Sequence, residues 1–337
     1  MNEQALVFSC AGEQLLAVLT PAAADTPASA AMADVGVVII VGGPQYRAGS
    51  HRQLVQLARS LARQGVSTLR FATRGMGDSS GEQRTLEAIE PDVGAAIDAL
   101  QTLMPGVKRV VLWGLCGGAS AALLYWRHTA DTRVQGMVLV NPWVRSEETL
   151  ARTQLKHYYL KRLAQRAFWA KLFSGGVAGK AMADLMHNLR LARRSTAGSP
   201  APAELLRETL REAAGSDARQ RLQTDSVRPL QQRMGLAWKQ YPGPKLLVLS
   251  GNDYTAKEFI ETAATDALWR ANVAHPSVSR FDVTGADHTF SAPADQRAVE
   301  QRTLAWLLQS LSADVKAGVA AQTTTAAAAP QKALGVF

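Results

Sequence analysis

The sequence contains "VVLWGLCGGASAALLYW" at residues 110–126. An apolar run enters a Gly-x-Cys-x-Gly turn centred on Cys116, and small residues then begin a helix. Glycines on both sides of the centre permit a tight turn that larger side chains would block. The central side chain then stands at the end of the strand, beside a helix N-terminus that stabilises developing negative charge. The pattern predicts a nucleophile at Cys116, and the competing interpretation is a small buried hydrophobic residue.

Strand-like apolar segments alternate with helical segments on both sides of this turn. The predicted strands of the alternating region are 35–43, 66–72, 107–114, 134–143, 245–253 and 278–285, and the predicted helices are 50–65, 84–103, 119–128, 256–272 and 294–311. Continuous Val, Ile and Leu runs separated by helices are typical of a parallel sheet covered on both faces. Before them, "ALVFSC" (5–10) and "LLAVL" (15–19) predict an antiparallel hairpin. The expected fold is therefore α/β, with a mostly parallel central sheet and an N-terminal antiparallel hairpin.

The alternation is interrupted once and stops before the end of the chain. Residues 144–238 are helix-rich, basic and broken by "SGGVAGK" and "STAGSPAP", which predicts a helical cap inserted into the sheet domain. Residues 1–143 and 239–312 then form the two parts of that domain. Residues 313–337 are rich in Ala and Thr, which predicts a disordered tail.

Composition narrows the class of protein. A hydrophobic content of 47% with 19% charged residues is typical of a globular domain with a large core. The two cysteines, Cys10 and Cys116, are too few for a disulfide framework or a multi-cysteine metal site and suit a reducing cytoplasm. The N-terminus carries Glu3 without a basic region, so we expect no signal peptide and a cytoplasmic location. No metal-ligand spacing, phosphate loop or dinucleotide fingerprint occurs in the sequence, so we expect neither metal nor cofactor.

The net charge of +9 comes from one segment. Residues 151–200 contain ten Lys or Arg against a single acid, Asp184, while the rest of the chain is balanced. Within it, residues 155–173 mix apolar and aromatic side chains with cations at roughly helical spacing. One interpretation is a cap helix whose cations are simply solvated. The other is a lid with an apolar acyl-binding wall and cations that attract an anionic substrate or a membrane surface. No nucleic-acid-binding module accompanies the charge, so we do not expect that partner.

A cysteine nucleophile needs a base and an acid that orients the base. In enzymes with a nucleophile at a strand-to-helix turn, the acid comes later in the chain and the histidine last, each just after a strand. Asp253 follows the strand "KLLVLS" and His288 follows "SRFDVT", so both occupy the expected positions. We therefore predict His288 as the base and Asp253 as the acid that fixes its tautomer. Asp287 and Asp282 are weaker alternatives, since Asp287 adjoins the histidine and is better placed to cap the next turn, and Asp282 lies on a strand.

Acyl transfer also needs donors for the oxyanion. One should be the backbone N–H of Gly117, after the nucleophile, and the other should come from the loop after the first parallel strand. That loop is "VGGPQ", residues 41–45. Pro44 has no N–H, so Gly43 or Gln45 must donate.

Taken together, residues 35–143 and 240–310 resemble an α/β-hydrolase, and "RGMGDS" (74–79) resembles a loop common in that superfamily. More narrowly, "GGPQYRAGSHRQ" (42–53), the cysteine turn and "SGNDYTAKEF" (250–259) look like exosortase A system-associated hydrolase 1. That resemblance implies an association with exopolysaccharide and protein-sorting loci. α/β-Hydrolases usually have a serine at the position of Cys116. A cysteine at this position resembles dienelactone hydrolase and polyhydroxyalkanoate synthase.

The expected function is a cofactor-independent acyl hydrolase acting on a small-molecule ester or thioester, anionic or carbohydrate-linked. Two alternatives remain open from the sequence. An acyltransferase would pass the acyl group from the same acyl-cysteine to an alcohol or sugar. A non-catalytic binding protein would keep the fold only as a scaffold.

Overall fold

The computed structural model describes residues 3–23, 32–43, 45–144 and 228–311. The chain divides into two compact units, residues 1–143 with 233–337 and residues 144–232. Most of the predicted cap (144–238), all of the basic segment and the predicted tail (313–337) lie outside the described residues. Those three stay predictions.

The described residues form one eight-stranded sheet with the strand order β1-β2-β4-β3-β5-β6-β7-β8. The first two strands are a hairpin, β2 pairs antiparallel with β4, and all later neighbours are parallel. The strands are β1 (Gln4–Cys10), β2 (Glu13–Thr20), β3 (Val35–Ile40), β4 (Ser67–Phe71), β5 (Arg109–Leu115), β6 (Val134–Val140), β7 (Lys245–Ser250) and β8 (Val278–Val283). The predicted mostly parallel sheet with its N-terminal hairpin is confirmed.

Helices connect the parallel strands, as the alternating pattern predicts. A short 3-10 turn at Ser50–Arg52 precedes the first of them. The helices are α1 (Gln53–Arg63), α2 (Glu90–Leu103), α3 (Gly117–Thr129), α4 (Leu230–Gln240), α5 (Tyr254–Thr265), α6 (Ala267–Val273) and α7 (Pro293–Leu311). In the part of the chain that the structure covers, none of them is both long and apolar enough to cross a membrane.

The central strands are buried because helices cover the sheet. Every residue of β3, β4, β5 and β7 is buried. Burial on both faces explains the mostly apolar sequences of β3, β5 and β7, whereas β4 also buries Ser67, Thr68 and Arg70. Alternate side chains of β3, β5, β6 and β7 pack in one cluster with Leu54, Leu57 and Leu61 of α1 and with Trp306 and Leu307 of α7. A sheet held in this way provides rigid strand ends on which a site can be built.

Two helix boundaries differ from the sequence-based prediction. The helix predicted at 84–103 begins only at Glu90, because Pro91 belongs in the first turn of a helix and not in its interior. The helix predicted at 256–272 is two helices. Asp266 adopts an extended conformation between them and its side chain accepts from the Trp269 N–H, which caps α6.

Strand register brings the loops of interest to one edge of the sheet. Gly114 of β5 pairs with Ile40 of β3 and with Leu139 of β6, so these three strands end at the same level. At the far side, Ser250 of β7 pairs with Val283 of β8. Parallel strands present their carboxyl ends to one edge, which is where ligands bind in such sheets. The loops after β3, β5, β6, β7 and β8 therefore meet there.

Candidate active site

Cys116 occupies a strained turn between β5 and α3. Its backbone angles are φ 58° and ψ −120°, outside the regions that residues with side chains normally adopt. The conformation is held on both sides, because the Cys116 N–H donates to Val140 O at 2.8 Å and its carbonyl accepts from Ala119 N at 3.1 Å. The thiol is partly exposed. The residue is thus directed out of the sheet at the start of a helix, as the turn pattern predicts.

The flanking glycines are required because backbone segments touch at this turn. A Cβ on Gly114 would lie 2.3 Å from the carbonyl carbon of Gly118, and a Cβ on Gly118 would lie 2.2 Å from Ile40 O. Either contact is far inside van der Waals distance, so any side chain would push the strand and helix apart. The "G-x-C-x-G" spacing is therefore a packing requirement of the strained turn.

Asp253 is positioned by the helix that follows it. It is the N-cap of α5, and its carboxylate accepts from the N–H groups of Thr255 at 3.2 Å and Ala256 at 3.0 Å. These two bonds fix the rotamer of a side chain that is only 7% exposed. Oδ2 of Asp253 also accepts a hydrogen bond from the Nδ1–H of His288 at 2.9 Å.

His288 lies beside both other predicted residues. Its Nδ1–H donates to Asp253 Oδ2 at 2.9 Å, and Cys116 is near enough to help raise the pKa of the imidazole. Because Asp253 takes up Nδ1, Nε2 is the nitrogen left for the sulfur. The structure thus brings Cys116, His288 and Asp253 together in that order.

The electrostatics of the three side chains follow from these contacts. The hydrogen bond to Asp253, assisted by that to Cys116, raises the pKa of His288 to about 10. Burial alone would raise the pKa of Asp253, but the hydrogen bond and charge of His288 outweigh it and lower that pKa below its usual 3.8.

The two alternative acids, Asp287 and Asp282, make other contacts. Asp287 accepts from Thr289 N at 3.0 Å and Ser291 N at 3.1 Å, the turn-capping role expected for it. Asp282 is exposed on β8 and pairs with Arg280 on the same strand. The geometry therefore separates Asp253 from both rivals.

The backbone of Gly43, one of the predicted oxyanion donors, lies close to Gly117. The amide nitrogen of Gly43 is 3.7 Å from the point where a Cβ on Gly117 would stand. Gly117 is the first residue of α3, and the first N–H groups of a helix have no partner within it. Gln45 differs, since its N–H donates to Gly43 O at 2.8 Å and is thereby engaged. Of the two donors predicted from the "VGGPQ" loop, Gly43 is the one suitably placed.

Sequence reasoning missed Asn141, which directly follows β6. Its side chain is completely buried and bonds both Ser250, at the end of β7, and the carbonyl of His288. The "NP" after an apolar strand marks only a turn, so no pattern in the sequence indicated this contact.

Cys10 lies apart from these residues, on β1. It is 5% exposed, and desolvation by burial raises its pKa to about 11, so it is a core residue. Among the described residues there is no group of three or more His, Cys, Asp or Glu side chains arranged to hold a metal ion.

Comparisons with known proteins agree on the fold. A search of curated proteins finds no match. Among solved structures, the chain is similar to the Pyrococcus furiosus esterase Pf2001, at 14% identity and TM-score 0.56 over 92% of this chain and 94% of that one. It is similar also to Est1E from Butyrivibrio proteoclasticus with ferulic acid bound, at 16% identity and TM-score 0.56 over 90% and 98%. A third is the haloalkane dehalogenase DatA from Agrobacterium tumefaciens C58, at 17% identity and TM-score 0.51 over 91% and 97%.

The family is shown by a model match rather than by these distant structures. The model of the alpha/beta hydrolase family matches residues 37–301, a range that includes the cysteine turn, Asp253 and His288. With the eight-stranded sheet and the strand-end site described above, the chain belongs to the alpha/beta hydrolase family.

Proposed function

We propose that this chain is a cofactor-independent acyl hydrolase that cleaves an ester or thioester through an acyl-cysteine intermediate. One observation carries the proposal: His288 Nδ1–H donates to Asp253 Oδ2 at 2.9 Å, and Cys116 is close enough to the imidazole to help raise its pKa. Nucleophile, base and orienting acid in that order form the constellation that activates a nucleophile in acyl transfer. The esterase-like character of the family supports the reaction class, and the cysteine as nucleophile is our assignment.

Acylation begins from the thiolate and imidazolium pair. The Cys116 sulfur attacks the acyl carbon and a C–S bond forms, while the carbonyl electron pair moves onto the oxygen. The N–H groups of Gly117 and Gly43 stabilise that oxyanion. When the tetrahedral intermediate collapses, the bond to the alcohol or thiol breaks, and the leaving group takes the proton from Nε2 of His288.

Deacylation uses the same residues in reverse. Water gives a proton to the now neutral Nε2 of His288 and attacks the thioester carbon. The second tetrahedral intermediate expels the Cys116 thiolate and releases a carboxylic acid, which restores the starting pair. Asp253 keeps its bond to Nδ1 throughout and stabilises the imidazolium in each step.

The substrate class is proposed from the site and from resemblance. Among the described residues, none apart from its chain neighbours lies within 4 Å of a Cβ on Gly43, which supports room for an acyl group beside the proposed oxyanion donors. The resemblance to exosortase A system-associated hydrolase 1 favours carbohydrate-linked acyl groups of exopolysaccharides, handled in the cytoplasm. We propose that the cations of 155–173, outside the described residues, attract an anionic substrate or an anionic membrane surface.

Turnover of model substrates tests the proposal. p-Nitrophenyl esters and acyl-coenzyme A thioesters of increasing chain length should be hydrolysed by the wild type and not by Cys116→Ala. Turnover only when an alcohol or sugar is supplied would replace the hydrolase with the acyltransferase. If there is no turnover and the Cys116 thiol does not react with electrophiles, the non-catalytic binding protein becomes the favoured alternative.

A further inference from the structure

Three loops meet at one buried side chain that takes no part in the proposed chemistry. Asn141 Nδ2 donates to Ser250 Oγ at 2.8 Å and to His288 O at 3.3 Å, while Asn141 Oδ1 accepts from Ser250 N at 2.8 Å. Ser250 is the last residue of β7, three residues before Asp253. A single amide thus joins the end of β6 to the strand that leads to the acid and to the backbone of the histidine.

Burial and hydrogen bonds hold the Asn141 amide in this position. Asn141 has an exposed fraction of 0%, and burial of an amide is tolerated only when its donors and acceptor are bonded. Its backbone has φ 44°, a left-handed conformation that asparagine adopts more readily than most residues. Its N–H also donates to Val248 O at 2.9 Å, so main chain and side chain are both fixed against β7.

We propose that Asn141 is a positioning residue that sets the distance between the acid and the base by holding the His288 backbone against the end of β7. This rests on the proposed function of Asp253 and His288. Backbone bonds from Gly251 N to Val283 O and from Asn252 N to Ala286 O, both 2.9 Å, join the two loops before His288. The Asn141 amide reaches the carbonyl of His288 itself, beyond the last of these bonds.

The consequence is a dependence of His288 on a residue that touches neither substrate nor ring. His288 is partly exposed, with 30% of its side chain accessible, so packing alone holds it weakly. Loss of the bond to its carbonyl should let the loop move and lengthen the Nδ1–Oδ2 contact. Since that contact is the main cause of the raised pKa of His288, the pKa should fall toward its ordinary value.

Asn141→Gly is the decisive variant, because glycine keeps the left-handed backbone while losing the amide. Asn141→Ala removes the same amide with a Cβ retained. Ser250→Ala is the matched control, since it removes an acceptor of Nδ2 but leaves the bond to His288 O. The measurement is the pH titration of the His288 ring by nuclear magnetic resonance of ¹⁵N-histidine-labelled protein, assigned with His288→Gln. Alkylation of Cys116 by iodoacetamide at pH 7 is the chemical readout.

We expect the His288 titration midpoint to fall by about one pH unit or more in both Asn141 variants, which corresponds to about a tenfold weaker preference for the charged ring. Cys116 alkylation should slow by a similar factor, and Ser250→Ala should titrate like the wild type. Unchanged midpoints in folded Asn141 variants would overturn the proposal. So would failure of both variants to fold, since Asn141 would then be a general stabiliser. Titration needs no substrate, so this result is separate from whether Cys116 is ever acylated.

Discussion

The Nδ1 atom of His288 lies 2.9 Å from Oδ2 of Asp253, although 35 residues separate them along the chain. Both follow neighbouring parallel strands, β7 and β8, and Asp253 is fixed by capping α5. Cys116, after β5, helps to raise the pKa of the same imidazole.

The three side chains should differ in how much activity depends on them. Cys116→Ala and His288→Ala should each lower kcat by about 1,000-fold or more, and Asp253→Asn by about 100-fold or more, because the acid orients the base and does not react. Steady-state kinetics on a p-nitrophenyl ester that the wild type hydrolyses provides the measurement. Asp287→Asn is the control and should stay within about twofold, since Asp287 only caps its own turn. A silent Asp253→Asn beside a severe Asp287→Asn would show that the acid is misassigned.

The His288–Asp253 pair should make stability depend on pH in a defined window. The pKa of His288 is raised in the folded protein, so its contribution is fully present below about 6.5 and is lost as the pH rises through about 10. The pKa of Asp253 is lowered, so its contribution is lost as the pH falls below about 3.8. Urea unfolding should show a larger advantage of wild type over His288→Gln at pH 6 than at pH 10.5. The same comparison made in an Asp253→Asn background should lose that difference, and its persistence would contradict the assignment.

How much of this the sequence could predict differs between the sheet and the site. The apolar runs predicted every central strand, because a strand that is buried on both faces favours apolar residues at successive positions. Chain order and strand ends predicted Cys116, Asp253 and His288 as neighbours. The break at Asp266 was not predicted. The Asp266 cap forms through local hydrogen bonds, and the spacing of apolar residues along the chain does not reveal such bonds.

Contacts between loops were beyond prediction. The engagement of the Gln45 N–H depends on the path of a glycine-containing loop, and the role of Asn141 depends on the meeting of three strand ends. Neither leaves a periodic signal in the sequence. The start of α2 at Glu90, by contrast, is indicated by Pro91, because proline prefers the first turn of a helix.

The turn that carries Cys116 should not tolerate a side chain at Gly118. Gly118→Ala places a Cβ 2.2 Å from Ile40 O, which should cost about 2–3 kcal/mol of unfolding free energy and most of the activity. Gly285→Ala is the control, because its Cβ position has no described atom within 4 Å other than those of Gly285 and its chain neighbours, and it should change stability by less than about 0.5 kcal/mol. Chemical denaturation of both variants tests this. Equal stability of the two would mean that the strand and helix are not packed as closely as described.

The basic segment allows a prediction from sequence alone. If its cations steer an anionic substrate, charge reversal at Lys161, Arg162 and Arg166 should lower kcat/KM by about tenfold at low salt and remove its dependence on ionic strength. The free energy of unfolding should change little. The measurement is kcat/KM over a range of salt concentrations with an anionic ester. If the variant matches the wild-type rate at every salt concentration, the cations do not steer the substrate and are simply solvated.

Acid-quench mass spectrometry during turnover of a p-nitrophenyl ester detects the proposed acyl-cysteine itself. An acyl adduct on the peptide containing Cys116 should appear within the first turnover and decay in water as the acid is released. Cys10, buried and with its pKa raised to about 11, should carry no adduct and serves as the internal control. Ester hydrolysis that continues in Cys116→Ala, or an adduct found on another residue, would contradict the account.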